Sequence, residues 1–210
     1  TPLTSIIGYA DMLRSGNLGE DMRFKAASYI FSEGKRLENL SLALMSLLVV
    51  GHSEADARPV NMRRLCQEAG RICQPAMRAK GLTLSVRAEE GVLRGDAALL
   101  QTLLQNLLDN ARKATDSGGQ VVLAGRKDKE GYRITVADQG RGIPEGELNK
   151  ITEPFYMVDK SRSRAEGGAG LGLALCKQIA ALHGGELRFE SREGRGTTVT
   201  VELGGVADAQ

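Results

Sequence analysis

Ile30, Leu37 and Leu44 recur at seven-residue intervals within residues 20–50, and Ala27, Leu40, Leu47 and Leu48 widen the same stripe. The spacing predicts one helix of roughly 30 residues, about 45 Å long at 1.5 Å per residue. A lone helix of that length cannot bury its apolar stripe. A shorter amphipathic segment precedes it, with Leu3, Ile6, Ile7, Ala10 and Leu13 on one face and Thr4, Asp11 and Arg14 elsewhere, and Gly16, Asn17 and Gly19 break the two apart. Two antiparallel helices of unequal length still leave apolar surface open. The simplest completion is a second copy, so a homodimer built on a four-helix bundle is expected.

Composition narrows the function. The chain of 210 residues carries 28 Lys and Arg against 26 Asp and Glu, with no long run of either sign. Charge therefore gives no reason to expect a nucleic-acid partner. The most apolar run, LSLALMSLLVV, has 11 residues including two serines. It falls well short of the roughly 20 that a membrane span requires, so any membrane attachment is expected through segments outside this chain. Cys66, Cys73 and Cys176 are odd in number and widely spaced, and Cys66 and Cys73 sit seven apart on one expected helix. Reduced thiols are expected, not a disulfide framework or a zinc site.

Residues 51–58, GHSEADAR, read as a polar linker ending before Pro59. This divides the chain into a helical hairpin at 1–50 and a second domain at 59–205. The second domain reads as helix 61–79, strands 82–87 and 92–94, helix 97–115, strands 120–126 and 132–138, a short helix 145–151, a loop, helix 170–183 and strands 186–191 and 197–203. The fold class is α+β: a two-helix hairpin followed by an α/β sandwich with a mixed sheet and helices on one face.

Four segments of the second domain bear on chemistry. In LLQNLLDNARKAT, Asn106 and Asn110 share one face of an otherwise apolar helix, with Lys113 about a turn further on. Asparagines facing inward are costly unless something binds them; a solvated face is the plain alternative. Amide oxygens suit a hard cation such as Mg²⁺, and a neighbouring lysine suits phosphates. VADQGRGIP ends a strand on Asp138 and then places Gly140 and Gly142 where a backbone approaches something closely. In GGAGLGLALCKQIAALHGG, glycines lead straight into a helix, whose free N–H groups form an anion site, although glycine-rich helix starts occur in many folds. GRGTTVTVEL turns into a last strand that opens at Thr197, and alone says little.

Together these segments resemble the sensor histidine kinases. NLLDNARKA is similar to their N box, DQGRGIP to their G1 box, EPFYMVD to their F box, GGAGLGLAL to their G2 box and GRGTTV to their final glycine box, all in order. TPLTSIIGYADML resembles the end of their H box, which runs histidine, an acidic residue, two variable positions and then Thr-Pro. The resemblance covers nearly the whole chain. It implies an ATP-binding domain of the gyrase type with ATP and Mg²⁺ bound, a hairpin that dimerises, and a response-regulator receiver domain as partner. It also implies a cytoplasmic location, with the intact protein anchored in the bacterial inner membrane.

Residue by residue, the resemblance implies that Asn110 binds Mg²⁺ with Asn106 supporting the same site, and that Lys113 meets phosphate oxygens. Asp138 accepts the adenine amino proton, Gly140, Gly142 and Ile143 admit the base, and Thr197 completes its polar edge. Residues 152–168 correspond to an ATP lid anchored by Phe155 and Tyr156. There Lys160, Arg162 and Arg164 offset phosphate charge, and Gly168, Gly170, Leu171, Gly172 and Leu173 supply hinges and backbone donors. Thr1 matches a position that orients water for dephosphorylating the partner; its plain alternative is a helix N-cap. Ala114 stands where an aromatic residue is usual, which removes one stacking surface.

Two rivals remain. A gyrase-like ATPase carries a glutamate where this chain has Asn106, and an asparagine cannot act as general base on water. A nucleotide-binding scaffold would signal through the hairpin without transfer. The histidines do not decide between them: His52 is expected in the linker and His183 at a helix end, where it suits the dipole, and neither occupies the H-box position. The phosphoacceptor is therefore expected four positions before Thr1. Autophosphorylation by these residues alone is not expected, and Pro2 becomes a proline inside a longer helix. Gly8 within the first helix is expected to cost about 1 kcal/mol relative to alanine.

Overall fold

The computed structural model describes residues 2–16, 18–52, 57–128, 131–159 and 170–204. Helix α1 (Pro2–Arg14) and helix α2 (Glu20–His52) fold back on each other through a turn in which Gly16 adopts φ +78°. Tyr9 of α1 stacks on Tyr29 of α2, with ring centroids 4.8 Å apart and planes 5° from parallel, and Ala26 is buried between the helices' turns. The long helix extends through His52. That residue therefore belongs to α2 and not to the linker, which corrects the sequence reading. Much of the hairpin's apolar stripe stays open in a single chain: Leu3, Ile7, Phe24 and Phe31 are each more than half exposed.

The remainder is a sheet with helices packed on one face. Strand β1 (Arg58–Asn61) precedes helix α3 (Met62–Ala79), strand β2 (Thr83–Ala88), strand β3 (Val92–Gly95) and helix α4 (Ala97–Ala114). Strands β4 (Gln120–Asp128) and β5 (Gly131–Asp138) follow, then a 3₁₀ turn at Glu145–Glu147, helix α5 (Gly172–Leu182), and strands β6 (Glu186–Arg192) and β7 (Gly196–Leu203). The main sheet runs β2-β4-β5-β7-β6; β2 is parallel to β4 and every other pair is antiparallel, giving the expected mixed sheet. Strand β1 pairs with β3 as a separate two-stranded ribbon.

Side-chain periods account for the layers. In β5, Tyr132, Ile134 and Val136 point inward, as do Val199, Val201 and Leu203 in β7. Against them α4 sets Leu100, Leu103, Leu104, Leu107 and Leu108, all essentially inaccessible. At roughly 2 kcal/mol for each fully buried leucine, this one helix face anchors the domain. The helix starts are capped as their residues suggest. Asn61 accepts from the Arg64 N–H at 2.9 Å, and Asp96 accepts from those of Ala98 and Leu99 at 2.8 and 3.1 Å.

Three local readings change. Residues 58–61 form a strand, with Asn61 the cap of α3 and not its first residue. The expected helix 145–151 shortens to the single 3₁₀ turn. His183, fully buried at the end of α5, does more than complement a dipole. Its Nδ1 donates to the Ile179 carbonyl at 2.7 Å and its Nε2 accepts the Asp96 N–H at 3.0 Å, so the neutral ring joins the end of α5 to the start of α4. Gly95 makes room for it: a Cβ there would fall 2.5 Å from His183 Cδ2. The cysteines are free thiols, as expected. Burial pushes Cys66 up to about 12 and raises the other two, so none is poised as a thiolate.

Candidate functional site

A cavity of about 630 Å³ opens between the C-terminal half of α4, the ends of β5 and β7, the segment after β5 and the start of α5. That is the size of a small-molecule site. Helix α4 sends Asn106, Asn110, Lys113 and Ala114 into the wall. The start of α5 contributes Gly170, Leu171, Gly172 and Leu173, and the sheet side contributes Asp138, Gly142, Ile143 and Thr197. Tyr156 lines it as well. Phe155 does not: it is 56% exposed, lies outside the wall and takes φ +67°, the left-handed region, to turn the chain where its N–H meets the Gly170 carbonyl. Thr1, Lys160, Arg162, Arg164 and Gly168 lie outside the described residues.

One end of the cavity is fixed by backbone hydrogen bonds. Asp138 Oδ1 accepts the Gly140 N–H at 2.8 Å and the Thr197 N–H at 3.3 Å. Burial raises the Asp138 pKa, and those two N–H groups and the charge of Arg141 only partly offset it. Gly140 sits against the Ala114 carbonyl, which would lie 2.5 Å from an added Cβ. Gly142, at φ +71°, sits against the Arg192 carbonyl at 2.1 Å from such an atom. The space these glycines leave is thus taken by neighbouring backbone. Both glycines seat the turn, and Gly142 lies in the wall whereas Gly140 does not.

The other end is made by two helices. Helix α5 begins with no side-chain cap from Leu171, and its N-terminal end faces the cavity, an arrangement suited to an anion. Gly172 lies so near α4 that a Cβ would come within 2.9 Å of Asn106 Oδ1. Asn106 Nδ2 donates to the Thr102 carbonyl at 2.9 Å, whereas Asn110 Nδ2 is buried with no acceptor among the described residues. Lys113, expected to meet phosphate oxygens, lines the cavity with its Nζ 2.8 Å from Asp109 Oδ2. Burial alone would raise Asp109, but Lys113 and Arg112 outweigh it and hold the carboxyl below its ordinary value. Among the described wall residues two cations, Lys113 and Arg141, stand against four carboxylates, Asp109, Asp138, Asp159 and Glu193.

Three contributors escaped the sequence reading. Asp109, in the N-box stretch itself, engages the lysine. Arg141 ties the loop to α4 through its N–H to the Ala114 carbonyl at 3.2 Å. Ser191 of β6 accepts the Ile143 N–H at 2.8 Å and contacts Thr197 Oγ1 at 2.8 Å. Only the register of β6 against β7 brings Ser191 opposite Thr197, and no local signal foretells it.

Comparison with known proteins agrees with this geometry. Residues 95–205 match the family described as histidine kinase-, DNA gyrase B- and HSP90-like ATPases. An uncharacterized sensor-like histidine kinase of Rhizobium meliloti is 31% identical over 210 residues, 97% of this chain and 40% of its own length. Full-length ShkA, crystallised with AMPPNP, superposes with a TM-score of 0.74 at 25% identity over 99% of this chain and 44% of that one. Histidine kinase ThkA in complex with the response regulator TrrA has the same fold, with a TM-score of 0.78 at 24% identity over 97% of this chain and 57% of that one. The chain thus spans well under two thirds of each. It belongs to the histidine kinase-, DNA gyrase B- and HSP90-like ATPase family, within its sensor histidine kinase branch.

Proposed function

We propose that the cavity binds ATP and that, in the intact protein, the γ-phosphoryl passes to a histidine preceding Thr1 and then to an aspartate of a response regulator. The carrying observation is the convergence of a helix start, two asparagines and the half-buried carboxylate of Asp138 on one cavity. The carboxylate end takes the adenine amino group, and the start of α5 takes the phosphates. Phosphoryl transfer forms a bond from an imidazole nitrogen to the γ-phosphorus as the bond to the β,γ-bridging oxygen breaks, and ADP leaves with the electron pair. Asn106 has no basic group to activate water, so the chain itself hydrolyses ATP slowly. His183, buried and bonded through both ring nitrogens, is no acceptor.

The wall's excess of carboxylates means a triphosphate needs positive charge from outside it. Asn110 lines the cavity, its Nδ2 has no acceptor among the described residues, and an amide oxygen there fits a hard cation. Among the described residues no group of three His, Cys, Asp or Glu could cage a metal. A Mg²⁺ ion would thus be held by Asn110, with Asn106 beside it and phosphate oxygens and water completing its shell, and would supply charge neutralisation. The cations expected at Lys160, Arg162 and Arg164 serve the same end.

The exposed Leu3, Ile7, Phe24 and Phe31 support homodimerisation through the hairpin, and the ThkA complex supports a receiver domain as partner. The full-length protein, incubated with γ-labelled ATP, is expected to acquire acid-labile label that Asp138→Ala abolishes. Tight ATP binding with no such label would leave a scaffold as the function; brisk hydrolysis unaffected by Asn106→Ala would point to the gyrase-like reading.

A further inference from the structure

Ser191 does not line the cavity, yet its hydroxyl touches three groups that shape the carboxylate end. Its Oγ accepts the Ile143 N–H at 2.8 Å, donates to the Gly196 carbonyl at 3.0 Å, and lies 2.8 Å from Thr197 Oγ1. A serine hydroxyl has one proton to give, and a carbonyl oxygen can only accept. All three contacts are satisfied together in one way: the Ser191 proton goes to Gly196, and the Thr197 proton goes to Ser191.

From this network we propose that Ser191 is a positioning residue that sets the polarity of Thr197 and thereby the base specificity of the site. With its proton committed to Ser191, Thr197 offers the cavity only lone pairs. It stands beside Asp138, whose carboxylate accepts the Thr197 N–H. The corner therefore presents acceptors alone. At the purine 6-position it accepts from the exocyclic amino group of a 6-aminopurine, whereas the carbonyl of a 6-oxopurine placed there meets oxygen lone pairs. A site that leaves polar groups unpaired against the wrong ligand discriminates far more strongly than one that relies on shape. Without Ser191, the Thr197 hydroxyl turns freely and can donate to a 6-oxo group. This inference rests on the nucleotide-binding reading above and adds which hydroxyl enforces the choice of base.

Calorimetric titration of the chain with ADP and with IDP, its 6-oxo counterpart, tests it. The wild-type chain is expected to prefer ADP, and Ser191→Ala to narrow that preference about fivefold to tenfold, the scale of one well-placed hydrogen bond. Ser191→Thr, which keeps a hydroxyl, is expected to hold the wild-type ratio. A merely structural role would weaken both diphosphates alike and leave the ratio unmoved, and that result in a folded Ser191→Ala chain overturns the proposal. If Ser191→Ala does not fold, Ser191→Cys keeps the volume but is a poor acceptor and must show the same narrowing; an unchanged ratio there is equally fatal. A wild-type chain that binds ADP and IDP equally refutes the polarity assignment. One that binds neither overturns the nucleotide reading itself, and Ser191's role with it.

Discussion

Replacing Asp138 by asparagine separates what the site does for the ligand from what it does for the fold. The carboxylate is half-buried, and its two hydrogen bonds both fall on Oδ1, from Gly140 and Thr197. Asparagine keeps an oxygen for those two donors and removes the charge whose desolvation raises the Asp138 pKa above the ordinary 3.8. In the interval between the unfolded and the raised folded value, the native chain binds more protons than the unfolded one. Stability therefore falls as pH rises through that interval, and at neutral pH the fold bears the cost of a half-buried charge. Asp138→Asn is expected to be as stable as wild type or up to about 1 kcal/mol more stable, and to lose that pH slope. Binding behaves oppositely. The new amide N–H₂ points a donor at the purine amino group in place of an acceptor, forfeiting a charge-assisted hydrogen bond of about 1.5–3 kcal/mol and adding a donor–donor clash, so affinity falls at least about 100-fold. Urea unfolding from pH 4 to 8 reads the first effect and calorimetry with ADP the second. A variant destabilised by about 3 kcal/mol would show that the carboxylate serves the fold, and near-normal affinity would show that it does not meet the base.

Ala114→Tyr supplies an aromatic surface to the wall and is expected to tighten ADP by about fivefold, roughly 1 kcal/mol; unchanged or weaker calorimetric binding rejects this. Asp109→Asn releases Lys113 from its 2.8 Å ion pair and removes one negative charge from the wall. It should strengthen ADP binding severalfold at low ionic strength, with the gain shrinking in salt, and a salt-independent gain would contradict the charge argument. His183→Phe keeps a buried ring but strands the Asp96 N–H at the start of α4. A loss of about 1–3 kcal/mol in urea unfolding is expected, and a change under 0.5 kcal/mol would show the bond to be dispensable.

What the sequence disclosed and what it hid divide along the range of the interactions. The asparagine pair, the glycine-led helix and Asp138 at a strand end are signals within single elements, and the cavity gathers all of them. Strand β1 escaped because four residues with a proline carry little period, and its existence depends on pairing with β3 some thirty positions away. The engagement of Lys113 by Asp109 is local, at i and i+4, but a free lysine and a paired one have the same sequence. His183 read as a dipole partner because its second bond, to Asp96, spans 87 residues. Phe155, read through the family resemblance as a lid anchor, takes a left-handed turn that only the backbone shows, and its side chain is largely exposed outside the cavity wall.

The two ends of the cavity are held by different physics, and this governs how each can vary. At the carboxylate end the fixing contacts start from backbone N–H groups: Gly140 and Thr197 to Asp138 Oδ1, Ile143 to Ser191 Oγ, and Arg141 to the Ala114 carbonyl at the end of α4. Two side chains, Asp138 and Ser191, therefore hold that frame, and the choice of base follows them. At the phosphate end the geometry depends on a side chain meeting an absent one, Asn106 against Gly172, and on a charge balance that the described wall leaves negative. On the proposed reading, affinity there follows the positive charge brought to the cavity, such as a cation arriving with the nucleotide. A substitution at the carboxylate end should therefore change which nucleotide binds, and one at the phosphate end should change how tightly any of them does.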